Sequence, residues 1–130
     1  MPVSFDEGAR RILDGRNFAT VATLGPDGAP HTSVVWVLRE GDTVLFSSKA
    51  ERRKVRNLLR DPRVGLSVFD LADPYRSVDI RGTAEVLDDP ERTLPVKVSH
   101  KYLGEDPPPE EGVSRVIVRV TPHRVTGFTG

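Results

Sequence analysis

Apolar and polar residues alternate with a period of two along most of this chain, and with a helical period in only three short stretches. "NFATVATL" (17–24) and "APHTSVVWVL" (29–38) are β-rich runs separated by "GPDG", a turn signal. "REGD" turns the chain again into "TVLFSS". The pattern predicts a meander of three strands, rich in the Val, Thr and Phe that strands favour. "RVGLSVFD" returns to strand, "ADP" breaks it, and "YRSVDIRGTAEVL" reads as a long strand with a bulge at Gly82. "SRVIVRV" closes the sheet, and "TPHRVTGFTG" is expected to add a short edge pairing.

The helical stretches are brief. In "SFDEGARRILDG", Ser4 and Glu7 have capping-box spacing, Ala9, Ile12 and Leu13 share a face, and Gly15 ends the helix. A second helix is expected to begin at Ser48, which has capping-box spacing to Glu51. Val55, Leu58 and Leu59 form its buried stripe, and Asp61-Pro62 stops it. "DDPERTLPVKVSHKYLG" reads as a third, with Pro95 at a kink or near the start. The acidic, proline-rich "EDPPPEEG" is a surface loop. Strands outnumber helices and follow one another in hairpin order. The fold class is mainly β, an antiparallel barrel with short helices on its ends or flank, in a single domain over residues 1–130.

Composition narrows the chemistry. The 130 residues include no cysteine, which removes disulfides, thiolate metal sites and cysteine nucleophiles. No apolar run approaches the roughly 20 residues that span a bilayer. "MPVSFDEGARR" lacks the apolar centre of a signal peptide, so no membrane association and a cytoplasmic location are expected. His31, His100 and His123 match no metal-ligand spacing, and no metal site is expected. His31 reads as a surface histidine and Tyr102 as a helix anchor. Trp36 serves either as core filler or as a stacking surface beside a flat ligand. Asp79 and Glu85 read as solvent-exposed. With no acid–base set evident, the sequence fits chemistry carried by a cofactor.

The formal net charge is zero, yet charge is unevenly placed. From Lys49 to Arg63 there are seven cations (Lys49, Arg52, Arg53, Lys54, Arg56, Arg60, Arg63) against two anions, Glu51 and Asp61. Arg52, Arg53 and Lys54 fall at the start of the second helix, where the dipole disfavours each cation by about 0.3–1 kcal/mol. A bound anion reverses that sign, and helix N–H groups, serine hydroxyls and cations together make a phosphate or carboxylate site. On a helical wheel Arg52 and Lys54 flank the apolar stripe while Arg53 points nearly opposite. No aromatic residues interleave the cations and the rest of the chain is acidic, so no nucleic-acid partner is expected.

The strand order, together with Phe46, Ser48, Arg53, Lys54, Asn57, Leu58, Asp61, Pro62 and Arg63, resembles the pyridoxamine 5′-phosphate oxidase-like, FMN-binding split β-barrel superfamily. The likeness covers about residues 10–128. "VRNLLRDPRV", "KYLG" and "VIVRVTPHRVTGF" look most like its deazaflavin branch, whose members use coenzyme F-420. The resemblance implies a homodimer with the cofactor in a groove between subunits, acting on a small-molecule substrate. It implies that Ser47, Ser48, Arg53 and Lys54 hold the cofactor phosphate, with Arg52 in addition. Ser33, Val34, Val35 and Trp36 would run along the ring, and a second subunit would supply Tyr75, Arg76 and Ser77. The expected function is hydride transfer between F-420 and an electron-poor organic substrate. FMN, or a non-catalytic flavin or deazaflavin carrier, is the alternative. The second strand has no arginine before Arg39, unlike the oxidase itself, so vitamin B6 oxidation is not expected.

Overall fold

The computed structural model describes residues 3–129. Its strands are β1 (Phe18–Leu24), β2 (Pro30–Trp36), β3 (Leu38–Glu40), β4 (Thr43–Lys49), β5 (Arg63–Phe69), β6 (Ser77–Asp88) and β7 (Arg115–Phe128). The helices are α1 (Glu7–Asp14), α2 (Arg53–Arg60) and α3 (Thr93–Leu103). All strand pairs are antiparallel, in the order β2-β1-β5-β6-β7-β4-β3. The two outermost strands, β2 and β3, are separated in the chain only by Val37. The sheet therefore rolls up until its edges meet at that corner, as a split barrel.

The expected three-strand meander is not formed. β1–β2 and β3–β4 are hairpins, but β2 and β4 are not hydrogen-bonded neighbours in the strand order. The cause is Val37, whose N–H and carbonyl leave the strand ladder for side chains of α3. Tyr102 Oη accepts from its N–H at 3.1 Å, and Lys101 Nζ donates to its carbonyl at 2.7 Å. Buried backbone groups need partners, and these two allow the turn without orphaning either.

The C-terminal stretch is also more than a short edge pairing. It is one continuous inner strand, paired with β4 over Arg115–Val120 and with β6 over Val116–Phe128. Pro122 lacks an N–H and would normally end such a strand, but it faces Gly82 where the register shifts between Arg81 and Gly82 and β7 carries one residue more than β6, so the ladder is already interrupted.

Alternation on β4 and β7 sorts two cores. Val44, Phe46, Val116, Val118 and Val120 enter the barrel interior with Phe5, Ile12 and Leu13 of the N-terminal segment and Val55 and Leu58 of α2. Leu45 and Ile117 point the other way, where Leu94, Val98 and Tyr102 of α3 and Trp36 cover them.

Both expected helix starts move. Asp6, not Ser4, caps α1, accepting from the Ala9 N–H at 2.8 Å. Ser48 belongs to β4, because pairing with β7 continues to Lys49↔Arg115, and α2 begins only at Arg53. Leu59 is 68% exposed, and Asn57 takes its place in the buried stripe by donating to Thr23 Oγ1 at 3.0 Å. Pro95 is the third residue of α3, where it costs no helical hydrogen bond.

Candidate functional site

The end of β4 and the start of α2 build one side of a groove. The chain leaves β4 at Lys49, turns with the Arg52 N–H bonded to the Lys49 carbonyl at 3.2 Å, and enters α2. That helix has no acid in its first turn and no side-chain cap at Arg52. A groove of about 560 Å³ opens here. Ser33, Val34, Val35 and Trp36 of β2 line it, with Ser47, Ser48 and Lys49 of β4, then Arg52 and Lys54.

Two side chains in this groove stand out. Ser47 Oγ is buried and has no hydrogen-bond partner among the described residues. Such an atom costs about 1–3 kcal/mol unless something else satisfies it. Lys54 Nζ donates to Ser33 Oγ at 3.3 Å, tying α2 to β2. Burial, and secondarily the charge of Arg52, pushes the Lys54 ammonium below its ordinary pKa. An anion beside Ser47 would answer both conditions, giving the hydroxyl an acceptor and offsetting two like charges. Ser48 is less available, since its hydroxyl donates to the Lys49 carbonyl at 3.0 Å.

The other predicted residues lie elsewhere. Arg53 does not join this group. It faces a separate hollow with His31, Asn57 and the β1–β2 turn. The helical wheel anticipates that split, whereas the resemblance places Arg53 with Lys54. His31 is half-buried, and its Nδ1 has no partner among the described residues. Tyr75, Arg76 and Ser77 are in and after the β5–β6 connection and do not line the groove of their own chain. Tyr75 is 87% exposed, and Arg76 pairs with Asp73 at 3.5 Å.

The rest of the lining comes from residues that the sequence did not assign to a binding site. Pro95, Val98, Ser99 and Leu103 of α3 contribute, as do Pro107, Pro108 and Arg115. Their local pattern is that of an ordinary helix and loop, and only the docking of α3 on β4 and β7 makes them groove residues. Tyr102 sets that docking. Its hydroxyl donates to the Asn17 carbonyl at 2.5 Å, and its ring stacks on Trp36 at 4.8 Å and 5°. Trp36 thus packs in the outer core while lining the groove.

The sequence profile of the pyridoxamine 5′-phosphate oxidase family matches residues 5–128. The chain belongs to the pyridoxamine 5′-phosphate oxidase family. A pyridoxine/pyridoxamine 5′-phosphate oxidase of Cupriavidus metallidurans is 33% identical over 88 residues, 67% of this chain and 41% of that protein. The chain spans less than half the length of the curated relatives it matches. Among solved structures, an F-420 reductase is 31% identical with a TM-score of 0.86, covering 94% of this chain and 98% of that one. A conserved hypothetical protein from Mycobacterium tuberculosis is 28% identical with a TM-score of 0.77, covering 95% of this chain and 84% of that one. The pyridoxamine 5′-phosphate oxidase family is one of flavin-binding oxidoreductases. The phosphate end of a flavin fits the residues present here, because the unpartnered Ser47 hydroxyl shares its groove with Arg52 and Lys54 and no acidic side chain among the described residues lines it.

Proposed function

We propose that this protein is a deazaflavin-dependent oxidoreductase that binds coenzyme F-420 in the β2/β4/α2 groove and acts on a small electron-poor organic substrate. The observation that carries the reading is the buried, unpartnered Ser47 hydroxyl in one groove with Arg52 and Lys54. In this reading Ser47, Arg52 and Lys54 hold the cofactor phosphate. Ser48 shapes the strand end, and Lys49 widens the positive field. Ser33, Val34, Val35 and Trp36 lie along the ring. When bound, the cofactor supplies a hydride, and the chain supplies position, field and exclusion of water. The near end-to-end likeness to an F-420 reductase supports the deazaflavin over FMN. FMN is the second reading. It shares the phosphate chemistry, and the curated relatives are named as pyridoxine/pyridoxamine 5′-phosphate oxidases.

A homodimer completes the proposal, with Tyr75, Arg76 and Ser77 of a second copy approaching the groove. The exposed apolar residues support it. Register places Ser77 opposite both Phe69 and Phe128, and the pairing of Ala19 with Val68 brings Phe18 beside Phe69. Phe18, Phe69 and Phe128 are all exposed in that row, an apolar patch that a second copy would cover.

Titration of the purified protein with F-420 and with FMN, following Trp36 fluorescence, tests the reading. F-420 should bind and FMN should bind more weakly. The double variant Arg52→Ala/Lys54→Ala should lose at least about a hundredfold in F-420 affinity, since each charge-assisted contact contributes about 1.5–3 kcal/mol. Arg53→Ala should stay within about threefold of the parent, because its side chain lies in the other hollow. Binding of neither cofactor would refute the proposal, and tight yellow FMN in the purified protein would favour the second reading.

A further inference from the structure

β2 carries a polar residue where its pattern calls for an apolar one. Thr32 and Val34 are exposed, whereas Val35 is buried, and alternation puts Ser33 on the same side as Val35. Cross-strand pairing agrees, since Ser33 lies opposite Val21 of β1, which is fully buried. A hydroxyl turned inward needs a partner, and this one has Lys54, whose Nζ donates to Ser33 Oγ at 3.3 Å.

Lys54 needs that contact as much as Ser33 does. It is half-buried in the first turn of α2, a turn that contains no acid. Burial, and after it the charge of Arg52, lowers its pKa, so both act against a charged Lys54 in the groove. Ser33 Oγ is its one acceptor among the described residues, and a hydrogen bond to the ammonium favours the charged form. Of the three N–H groups of the ammonium, Ser33 takes one and leaves two for a ligand. The bond also joins two elements. Asn57 and Arg60 tie α2 to β1, whereas Lys54 ties its first turn to β2, an edge strand that pairs with β1 alone.

We propose that Ser33 is a positioning residue for the cofactor phosphate: its hydroxyl holds the Lys54 ammonium in the groove shared with Ser47 and Arg52, instead of letting it swing into solvent. The proposal deepens the oxidoreductase reading and rests on it only for the identity of the anion. A lysine side chain is long and free to rotate, and one already fixed by a hydrogen bond loses less freedom when an anion arrives. Ser33 acts through Lys54 and not by touching the ligand, so its contribution vanishes once the Lys54 ammonium is removed.

The test uses pyrophosphate, an anion with no ring attached, titrated into the cofactor-free protein and followed by the amide NMR shifts of Ser47 and Arg52. Ser33→Val and Ser33→Thr have the same shape and differ by the hydroxyl. Ser33→Val should weaken pyrophosphate binding at least about threefold, and Ser33→Thr should stay within about twofold of the parent. On a Lys54→Met background, Ser33→Val should change affinity by less than about 1.5-fold. Ser33→Ala serves if the valine variant does not fold. A loss of the same size with and without the Lys54 ammonium overturns the proposal, because the hydroxyl would then meet the anion itself or only shape the strand. Unchanged affinity in Ser33→Val and Ser33→Ala overturns it too, as does a parent that does not bind pyrophosphate. If pyrophosphate binding depends on Ser33 through Lys54 while neither F-420 nor FMN binds, the proposal stands and the oxidoreductase reading falls.

Discussion

At the scale of single residues, Tyr102 shows how one side chain can hold a groove open without touching a ligand. It is 8% exposed, and its hydroxyl serves the Val37 N–H and the Asn17 carbonyl at once. Burial pushes its pKa up, so it remains a neutral donor across the physiological range. Tyr102→Phe keeps the stack on Trp36 but strands two buried backbone groups. It should cost about 1–3 kcal/mol, read as a lower urea midpoint at unchanged slope. A loss below about 0.5 kcal/mol would mean that water or another group replaces the hydroxyl. The sequence identified Tyr102 as an anchor and grouped Arg52, Arg53 and Lys54 with serine hydroxyls as an anion cluster, and the family resemblance put Ser47 and Ser48 there. It could not say that Ser48 commits its hydroxyl to Lys49 and that Ser47 keeps its own free, because strand register decides which way each points.

At the scale of elements, the β6–β7 ribbon is the longest pairing in the sheet, and its bulge is the place most sensitive to change. A Cβ on Gly82 would stand 2.2 Å from the Thr121 carbonyl oxygen, and that oxygen belongs to backbone that cannot swing aside. Gly82→Ala should therefore destabilise the protein by at least about 1–3 kcal/mol, as overpacking does, with a visible fall in the thermal midpoint. If the midpoint holds, the ribbon is more pliant than its register implies. Periodicity placed the interruption correctly at Gly82, because a glycine inside a run of alternating β-formers marks where the ladder breaks, but the extra residue is on the facing strand β7. It misplaced the start of α2, because the capping-box spacing of Ser48 and Glu51 is a local signal. Ladder pairing to β7 overrode it.

At the scale of the whole molecule, Lys101 joins three elements. Its ammonium donates at 2.7 Å to the Leu13 carbonyl at the end of α1 and at 2.7 Å to the Val37 carbonyl at the barrel corner, from its place on α3. Burial lowers its pKa to about 8 from the ordinary 10.5, against the pull of Asp14. Between those two values the unfolded chain holds a proton that the folded chain has released. Stability from this group therefore rises with pH through that window, and its penalty is full below pH 8. The difference in unfolding free energy between the parent and Lys101→Met should thus shift in the parent's favour from about pH 8 towards 10. A pH-independent difference would show that Lys101 titrates at its ordinary value.

The sequence by itself determined the residue chemistry and the local elements: alternating strands, three short helices, an interruption at Gly82 and a cluster of cations at the start of the second helix. These follow from the period of the apolar pattern and from covalent side-chain properties, which do not depend on distant parts of the chain. Only the tertiary structure decided that β2 and β3 are the two edges of one rolled sheet and that α3 walls the groove. It also decided that Ser47 and Trp36 line the same groove as Arg52 and Lys54. Each of these depends on contacts between residues far apart in the chain, such as Val37 with Tyr102 and Ser33 with Lys54, and one-dimensional periodicity carries no record of them.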